Sequence, residues 1–268
     1  MIVAITDPED PRIAAYRDVR ERDLLRRDGL FVVEGEVVLR VLLSRSRFPV
    51  ESLLVSEKRL DLVRPLLAQA PGGTPVLVAS QAEMDGIVGF PVHRGVLALA
   101  RRGIDRDAAE ILRDLGPRAL VVAPIGLANH DNVGGVFRNA AAFGADAVLL
   151  DRASCDPLYR KAIRVSVGGS LVVPFARGGG PEALVDLLGA HGFTLVGLTP
   201  SGEEPIGAVR RAGRTALLLG AEGAGLPESV LARTRRVRIP MAGGFDSLNV
   251  ATASGIALHQ LTGGDTGG

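Results

Sequence analysis

The chain has 268 residues, 47% of them hydrophobic, with a mean hydropathy of +0.25 and a formal net charge of +1. That is apolar material for one large domain or two ordinary ones, and so small a net charge does not by itself point to nucleic acid. No apolar run reaches the roughly 18–20 residues of a membrane span, and MIVAITDPEDPR lacks the basic start and apolar stretch of a signal peptide, so a cytoplasmic location is expected. The single cysteine, Cys155, excludes an internal disulfide, and no cysteine–histidine cluster suggests a metal site.

Two blocks of alternating strands and helices run along the chain, joined near residues 101–117. The first opens with a charged helix ending near Gly29. LFVVEGEVVLRVLLSR then reads as a short strand and a helix with Val37, Val38, Val41 and Leu42 at helical spacing. Strands are expected at SLLVS and TPVLVAS, with the helical LDLVRPLLAQ between them, and GVLALARR closes the block as a buried strand. GIDRDAAEILRDLG reads as a linker becoming a helix, and RALVVAPIG begins the second block as a buried parallel strand. After it come a helix over 132–143, a strand at DAVLL, a short helix around DPLYRKAIR and a strand at LVVPFA. The helix PEALVDLLGAH, the strands FTLVGLT, TALLLG and RRVRIP, a final helix and a frayed Gly-rich tail complete the chain. Such alternation argues for a parallel sheet covered on both faces, with ligands at the C-terminal ends of its strands.

Three strand-to-helix corners carry the chemistry. In GLANHDNVGGVFRNAAAFGAD, Asp131 or Asn132 can cap the helix, and Arg138 lies six residues beyond Asn132, placed to swing back toward the same strand end. Gly134 and Gly135 cost up to about 1 kcal/mol each in the first turn. Close approach of a backbone or ligand, or tight packing of the helix on the sheet, would justify that cost. TALLLGAEGAGLP runs into Gly220, Glu222, Gly223 and Gly225, but matches neither a dinucleotide fingerprint nor a P-loop. Glu222 would repel phosphates, so a phosphate-free cofactor fits better. In RIPMAGGFDSLNVATASGIAL, Gly243-Gly244 allow a sharp bend, Ser247 can cap the last helix, and Asn249 falls in its first turn. An asparagine there is poorly placed unless its amide has a partner.

Taken together and in order, NVGGVFRNAAAFGAD, LLLGAEGAGLP and RIPMAGGFDSLNVATASGIAL resemble the three motifs of the SpoU (TrmH-type) branch of the SPOUT RNA methyltransferases, over about residues 117–262. The first block, through LFVVEGEVVLRVLL and FPVHRGVLALAR, more loosely resembles the family's ribosomal-protein-like substrate-binding domain. The resemblance implies a C-terminal α/β trefoil-knot methyltransferase domain (117–268), a linker (105–116) and a smaller N-terminal α/β RNA-binding domain (1–104). It further implies a homodimer with its active site at the interface, and methyl transfer from S-adenosylmethionine to a ribose 2′-hydroxyl of ribosomal or transfer RNA. Ribosomal RNA is preferred because of the extra domain.

Residue by residue, the resemblance makes Gly220, Ile239, Met241 and Leu248 cofactor-binding positions. It makes Asn132, Arg138, Glu222, Ser247 and Asn249 the polar active-site set, with Lys161 and Ser166–Gly168 a further stretch nearby. An arginine is a poor general base, with a pKa above about 12; Arg138 is expected to stabilise the developing alkoxide, held by Glu222, Ser247 and Asn249. All basic residues except Lys58 and Lys161 are arginines, which suits phosphate contacts but equally follows from a GC-rich genome. Few aromatics (4%, no Trp) leave little for base stacking. The rival classes are a non-catalytic RNA-binding protein on the same fold and a dinucleotide-dependent oxidoreductase, whose glycine fingerprint is missing.

Overall fold

The computed structural model describes residues 2–17, 25, 28–89, 92, 94–211, 213–243 and 247–263. The helix expected before Gly29, Gly244 and the tail from 264 lie wholly or largely outside the described residues. The chain forms two compact units: residues 1–104 with 158–172, and residues 105–157 with 173–268.

The first unit contains β1 (Ile2–Ala4), a 3-10 turn at Pro11–Tyr16, β2 (Leu30–Glu34), α1 (Glu36–Arg45), β3 (Val50–Ser56), α2 (Glu57–Leu67), β4 (Val76–Ala79), α3 (Gln81–Val88) and β5 (Val96–Arg101). Its sheet runs β1-β4-β3-β5-β2, parallel across β1, β4 and β3 and antiparallel where β5 meets β3 and β2. The apolar runs of β3, β4 and β5 are buried because helices cover them. Ser80 starts α3 with a reciprocal cap, its hydroxyl accepting from Glu83 N while Glu83 Oε2 accepts from Ser80 N.

The second unit opens with α4 (Ala108–Asp114), β6 (Leu120–Pro124), α5 (His130–Ala142) and β7 (Ala147–Leu150). Residues 105–116, expected as a linker, contribute Ile111 and Leu112 to this unit's core. The chain then returns to the first unit for α6 (Arg160–Val165) and α7 (Gly169–Val172). There the buried Glu34 carboxylate accepts from Arg160 Nη1 at 2.9 Å. The strand expected at LVVPFA is shorter than its apolar run: Leu171 and Val172 sit in α7, and only after Pro174 does β8 (Phe175–Arg177) begin. The second unit continues with α8 (Pro181–Ala190), β9 (Thr194–Leu198), β10 (Glu204–Pro205), a 3-10 turn at Ile206–Ala208, β11 (Thr215–Leu219), α9 (Glu228–Leu231), β12 (Arg235–Arg238) and α10 (Val250–Thr262).

Its sheet is parallel throughout, in the order β10-β12-β9-β11-β6-β7-β8. The chain walks outward from β6 through β7 to β8, then crosses to the other side of β6 for β9. That reversal puts a topological switch point between β6 and β11, where parallel sheets open a crevice at their C-terminal edge. Leu219 pairs with Pro124 on one side and Leu198 on the other, so these strands end level.

Candidate active site

The loop leaving β6 is staked from below. Asp151, 2% exposed, accepts from Gly126 N (3.0 Å), Ser154 N (2.9 Å) and Ser154 Oγ (2.6 Å), while Ser154 Oγ accepts from Leu127 N (3.0 Å). The loop thus delivers α5 at a fixed angle. Asn129, not Asp131 or Asn132, is its N-cap: Asn129 Oδ1 accepts from Asp131 N at 2.8 Å. Asn132 therefore lies inside the first turn, 5% exposed. Cys155 donates its main-chain N–H to Leu127 O. Burial, reinforced by Asp156, pushes its thiol up to about 12, which removes it as a nucleophile near neutral pH.

The loop leaving β11 folds back on itself. Gly225 N donates to Ala221 O at 2.9 Å, and a Cβ at Gly220 would lie 2.2 Å from the carbonyl carbon of Gly225. Glycine at 220 is thus demanded by the loop's own backbone. The turn carries Glu222 outward, exposed.

The last corner holds the principal correction. Asn249, not Ser247, caps α10, its Oδ1 accepting from Ala251 N (3.0 Å) and Thr252 N (3.3 Å). The other end of the same amide does something different. Asn249 Nδ2 donates to Asn132 Oδ1 and to Glu222 Oε1, each at 2.9 Å. One side chain, at the start of α10, thereby joins the first turn of α5 to the loop that follows β11. Its two donors and its carbonyl are all used, which explains why the position needs an amide rather than another capping residue.

Of the expected polar set, Asn132, Glu222 and Asn249 come together in this way. Ser247 stands two residues before the cap, exposed. Arg138 does not join them: it is exposed on α5, with no hydrogen bond or ion pair to a described residue. Six residues of helix place it about 9 Å along the axis and about 120° around from Asn132. Ile239 and Met241 are half-buried beyond β12, and Leu248 is 41% exposed. Among the described residues, none makes a main-chain hydrogen bond with Gly220, Ile239, Met241 or Leu248. Lys161 and Ser166–Gly168 belong to the first unit, where Gly168 packs on Val41 and Val167 adopts a φ of 53°.

Helix α10 lies close against α5, because Gly135 has no side chain: a Cβ there would come within 2.4 Å of Ala251 Cβ. Because α5 starts at His130, Gly134 and Gly135 fall in its second turn, and of the two open readings close approach of another backbone holds at 135, as packing of helix on helix rather than helix on sheet. Sequence reasoning missed Asp151, Ser154 and Asn139. Asparagine itself was an available signal, since the chain contains only Asn129, Asn132, Asn139 and Asn249. Among the described residues, no helix is long and apolar enough to cross a membrane, and no group of three or more His, Cys, Asp or Glu is placed to hold a metal.

Fold and site define an α/β protein with a polar constellation at the switch point of a parallel sheet. The family model of the SpoU rRNA methylases matches residues 119–259, and the chain belongs to that family. It is 40% identical to an uncharacterised tRNA/rRNA methyltransferase of Mycobacterium bovis, over 96% of this chain and 91% of the relative. It is 30% identical to the 23S rRNA (guanosine-2′-O-)-methyltransferase RlmB of Acinetobacter baylyi, over 87% of this chain and 92% of the relative. Among solved structures, the SpoU methyltransferase AviRb of Streptomyces viridochromogenes in complex with AdoMet superposes with a TM-score of 0.79 at 26% identity, over 96% of this chain and 97% of AviRb.

Proposed function

We propose that this chain is an S-adenosylmethionine-dependent methyltransferase acting on a ribose 2′-hydroxyl of RNA, ribosomal RNA in preference to transfer RNA. The observation that carries this is the Asn249 amide tying Asn132 and Glu222 together at the sheet's switch point, in a chain of the SpoU family. Preference for ribosomal RNA is supported by the name of the Acinetobacter baylyi relative, and the choice of cofactor by the AdoMet in the AviRb structure.

The residues fit such a cofactor. The main-chain groups of Gly220, Ile239, Met241 and Leu248 would hold it, and the exposed Glu222 favours a ligand without phosphates. When bound, the sulfonium supplies an electrophilic methyl group and leaves as a neutral thioether, so no acid is needed at the leaving group. The chain's task is to hold and activate a weakly acidic hydroxyl. Asn132 keeps its amide N–H groups, and Glu222 its second carboxylate oxygen, free of described partners, which leaves donor and acceptor to orient that hydroxyl. Positioning of this kind is worth several kcal/mol of barrier, up to about 7–11 in well-aligned intramolecular reactions. As the oxygen–methyl bond forms and the sulfur–methyl bond breaks, the hydroxyl proton passes to water, while the Arg138 guanidinium stabilises the developing alkoxide and orients a neighbouring phosphate. Ser247 belongs to the same set.

Arg138 faces away from its own Asn132 by helix geometry, so we assign it to the site formed when two copies pair. The protein acts as a homodimer with a trefoil-knotted C-terminal domain (117–268). Residues 1–104 bind the RNA, and the enzyme works in the cytoplasm. The test is incubation with methyl-labelled S-adenosylmethionine and either ribosomal or transfer RNA, followed by alkaline hydrolysis. Label in alkali-resistant dinucleotides is expected. Label on a base would overturn the reaction class, and cofactor binding without transfer to any RNA would favour the non-catalytic RNA-binding alternative.

A further inference from the structure

Of the chain's four asparagines, three have the roles above; Asn139 has none there. It is half-buried on α5, and its Nδ2 spends both donors on a single turn of α10: Ala251 O at 2.6 Å and Ser254 Oγ at 2.8 Å. Ser254 is 0% exposed and donates its own hydroxyl to Ala251 O at 2.7 Å. The turn in question starts two residues after the Asn249 cap. Ala251 is therefore fixed on three sides: its N–H by Asn249, its carbonyl by Asn139 and Ser254, and its methyl by the bare backbone of Gly135. Gly255 leaves room for the Asn139 amide, since a Cβ there would stand 3.2 Å from its Nδ2.

We propose that Asn139 is a positioning residue for methyl transfer, holding the first turn of α10 in the register at which Asn249 meets both Asn132 and Glu222. A slip of one residue moves a helix by about 1.5 Å and turns it by about 100°. Either displacement breaks contacts that are 2.9 Å long. General adhesion between the helices would be served as well by an apolar side chain. Two directed hydrogen bonds to one turn instead specify where along α10 the contact is made.

Asn139→Leu keeps the heavy-atom count and branching and removes the donors, and Asn139→Asp keeps the shape and removes them too. In both, kcat should fall about tenfold or more, as expected for a small misplacement of reacting groups, while affinity for S-adenosylmethionine changes little. In protein labelled with 15N-asparagine, the Asn249 side-chain amide should shift and exchange faster with solvent. Combined with Asn249→Ala, either substitution should add little further loss, because both act through one group. Wild-type kcat and an unmoved Asn249 amide in folded Asn139→Leu would overturn the proposal, as would losses that simply multiply in the double variant. Should Asn139→Leu not fold, Ser254→Ala removes one of the two acceptors and must shift the same resonance in the same direction. The inference rests on the proposed methyl transfer, but a wild-type protein that methylates no RNA would defeat only that reading. The amide resonance would still decide the positioning role.

Discussion

Helices α5 and α10 begin in the same way and end up doing different things. Each is capped by an asparagine whose carbonyl oxygen accepts from main-chain N–H groups of the first turn. At Asn129 the amide nitrogen makes no hydrogen bond to a described residue, and the side chain is a cap and nothing more. At Asn249 the nitrogen reaches across the sheet edge to Asn132 and Glu222. Capping needs one atom of an amide and is a local matter, interchangeable among serine, threonine, aspartate and asparagine. What separates a functional cap from a structural one is whether the second atom is also used.

That comparison breaks most sharply at Asn249→Ala. Loss of a directed donor network in a transfer site costs about 10²–10³ in rate, and loss of the cap costs about 1 kcal/mol of stability. Both should appear, the first in single-turnover methylation and the second in denaturant melts. Asn249→Asp keeps the cap and replaces the donor with a second carboxylate beside Glu222. It should retain the cap's share of stability while losing rate to a similar degree. Rate retained in Asn249→Asp would mean that the bridge to Glu222 is incidental.

Gly220→Ala tests the loop that presents Glu222. The added Cβ would lie 2.2–2.5 Å from the backbone of Gly225 and Leu226, which cannot yield as a flexible side chain would. Overpacking of this kind costs about 1–3 kcal/mol, and the turn must open to relieve it. Calorimetric affinity for S-adenosylmethionine should weaken together with the melting temperature. An unchanged affinity would separate the loop's shape from cofactor binding.

Arg138→Lys comes next. The charge survives, but the planar fork that makes two hydrogen bonds to phosphate or alkoxide does not. A loss of about tenfold in kcat/KM is expected, with cofactor affinity unchanged, in keeping with the net worth of charge-assisted bidentate contacts. Near-complete retention of rate would reduce Arg138 to a point charge. Since Arg138 stands exposed and unengaged among the described residues, its replacement should leave the melting temperature where it was.

The ends of this comparison were unequally legible in the sequence. Glycine-punctuated apolar runs gave β6, β11 and the helices α5, α8 and α10 within a few residues, because their burial imposes a periodicity that one strand or helix carries alone. LVVPFA misled for the same reason: its apolar run is continuous, and nothing in its periodicity shows that Leu171 and Val172 finish a short helix, which stops short of Pro174. Cap positions slipped at both helices, since several adjacent residues could each serve and spacing does not choose between Ser247 and Asn249. The Asn249–Asn132 contact spans 117 positions and the Asn139–Ser254 contact 115, and no local pattern encodes a pairing at that distance. Motif resemblance supplied Asn132, Arg138, Glu222, Ser247 and Asn249 as a set, but not which three of them meet in one chain or which atoms join them.

The smallest expected effect lies at the opposite pole of the comparison. Asn129→Ala removes one accepted hydrogen bond from Asp131 N, at 2.8 Å, and touches neither Asn132 nor Glu222. A lost cap costs about 0.5–2 kcal/mol. Here the loop before the helix is independently held by Asp151 and Ser154 through Gly126 and Leu127. Fraying should thus be confined to the first N–H groups of α5, leaving the Asn132 side chain, in that same turn but buried and held by Asn249 Nδ2, where it is. The measurement is a denaturant melt beside a rate: the midpoint should drop by an amount near that of Asn249→Ala, with kcat changed by less than about twofold. A rate loss as large as that of Asn249→Ala would show that the start of α5 is as directly coupled to the transfer site as the start of α10. The distinction between a cap with one occupied atom and a cap with two would then have no functional meaning.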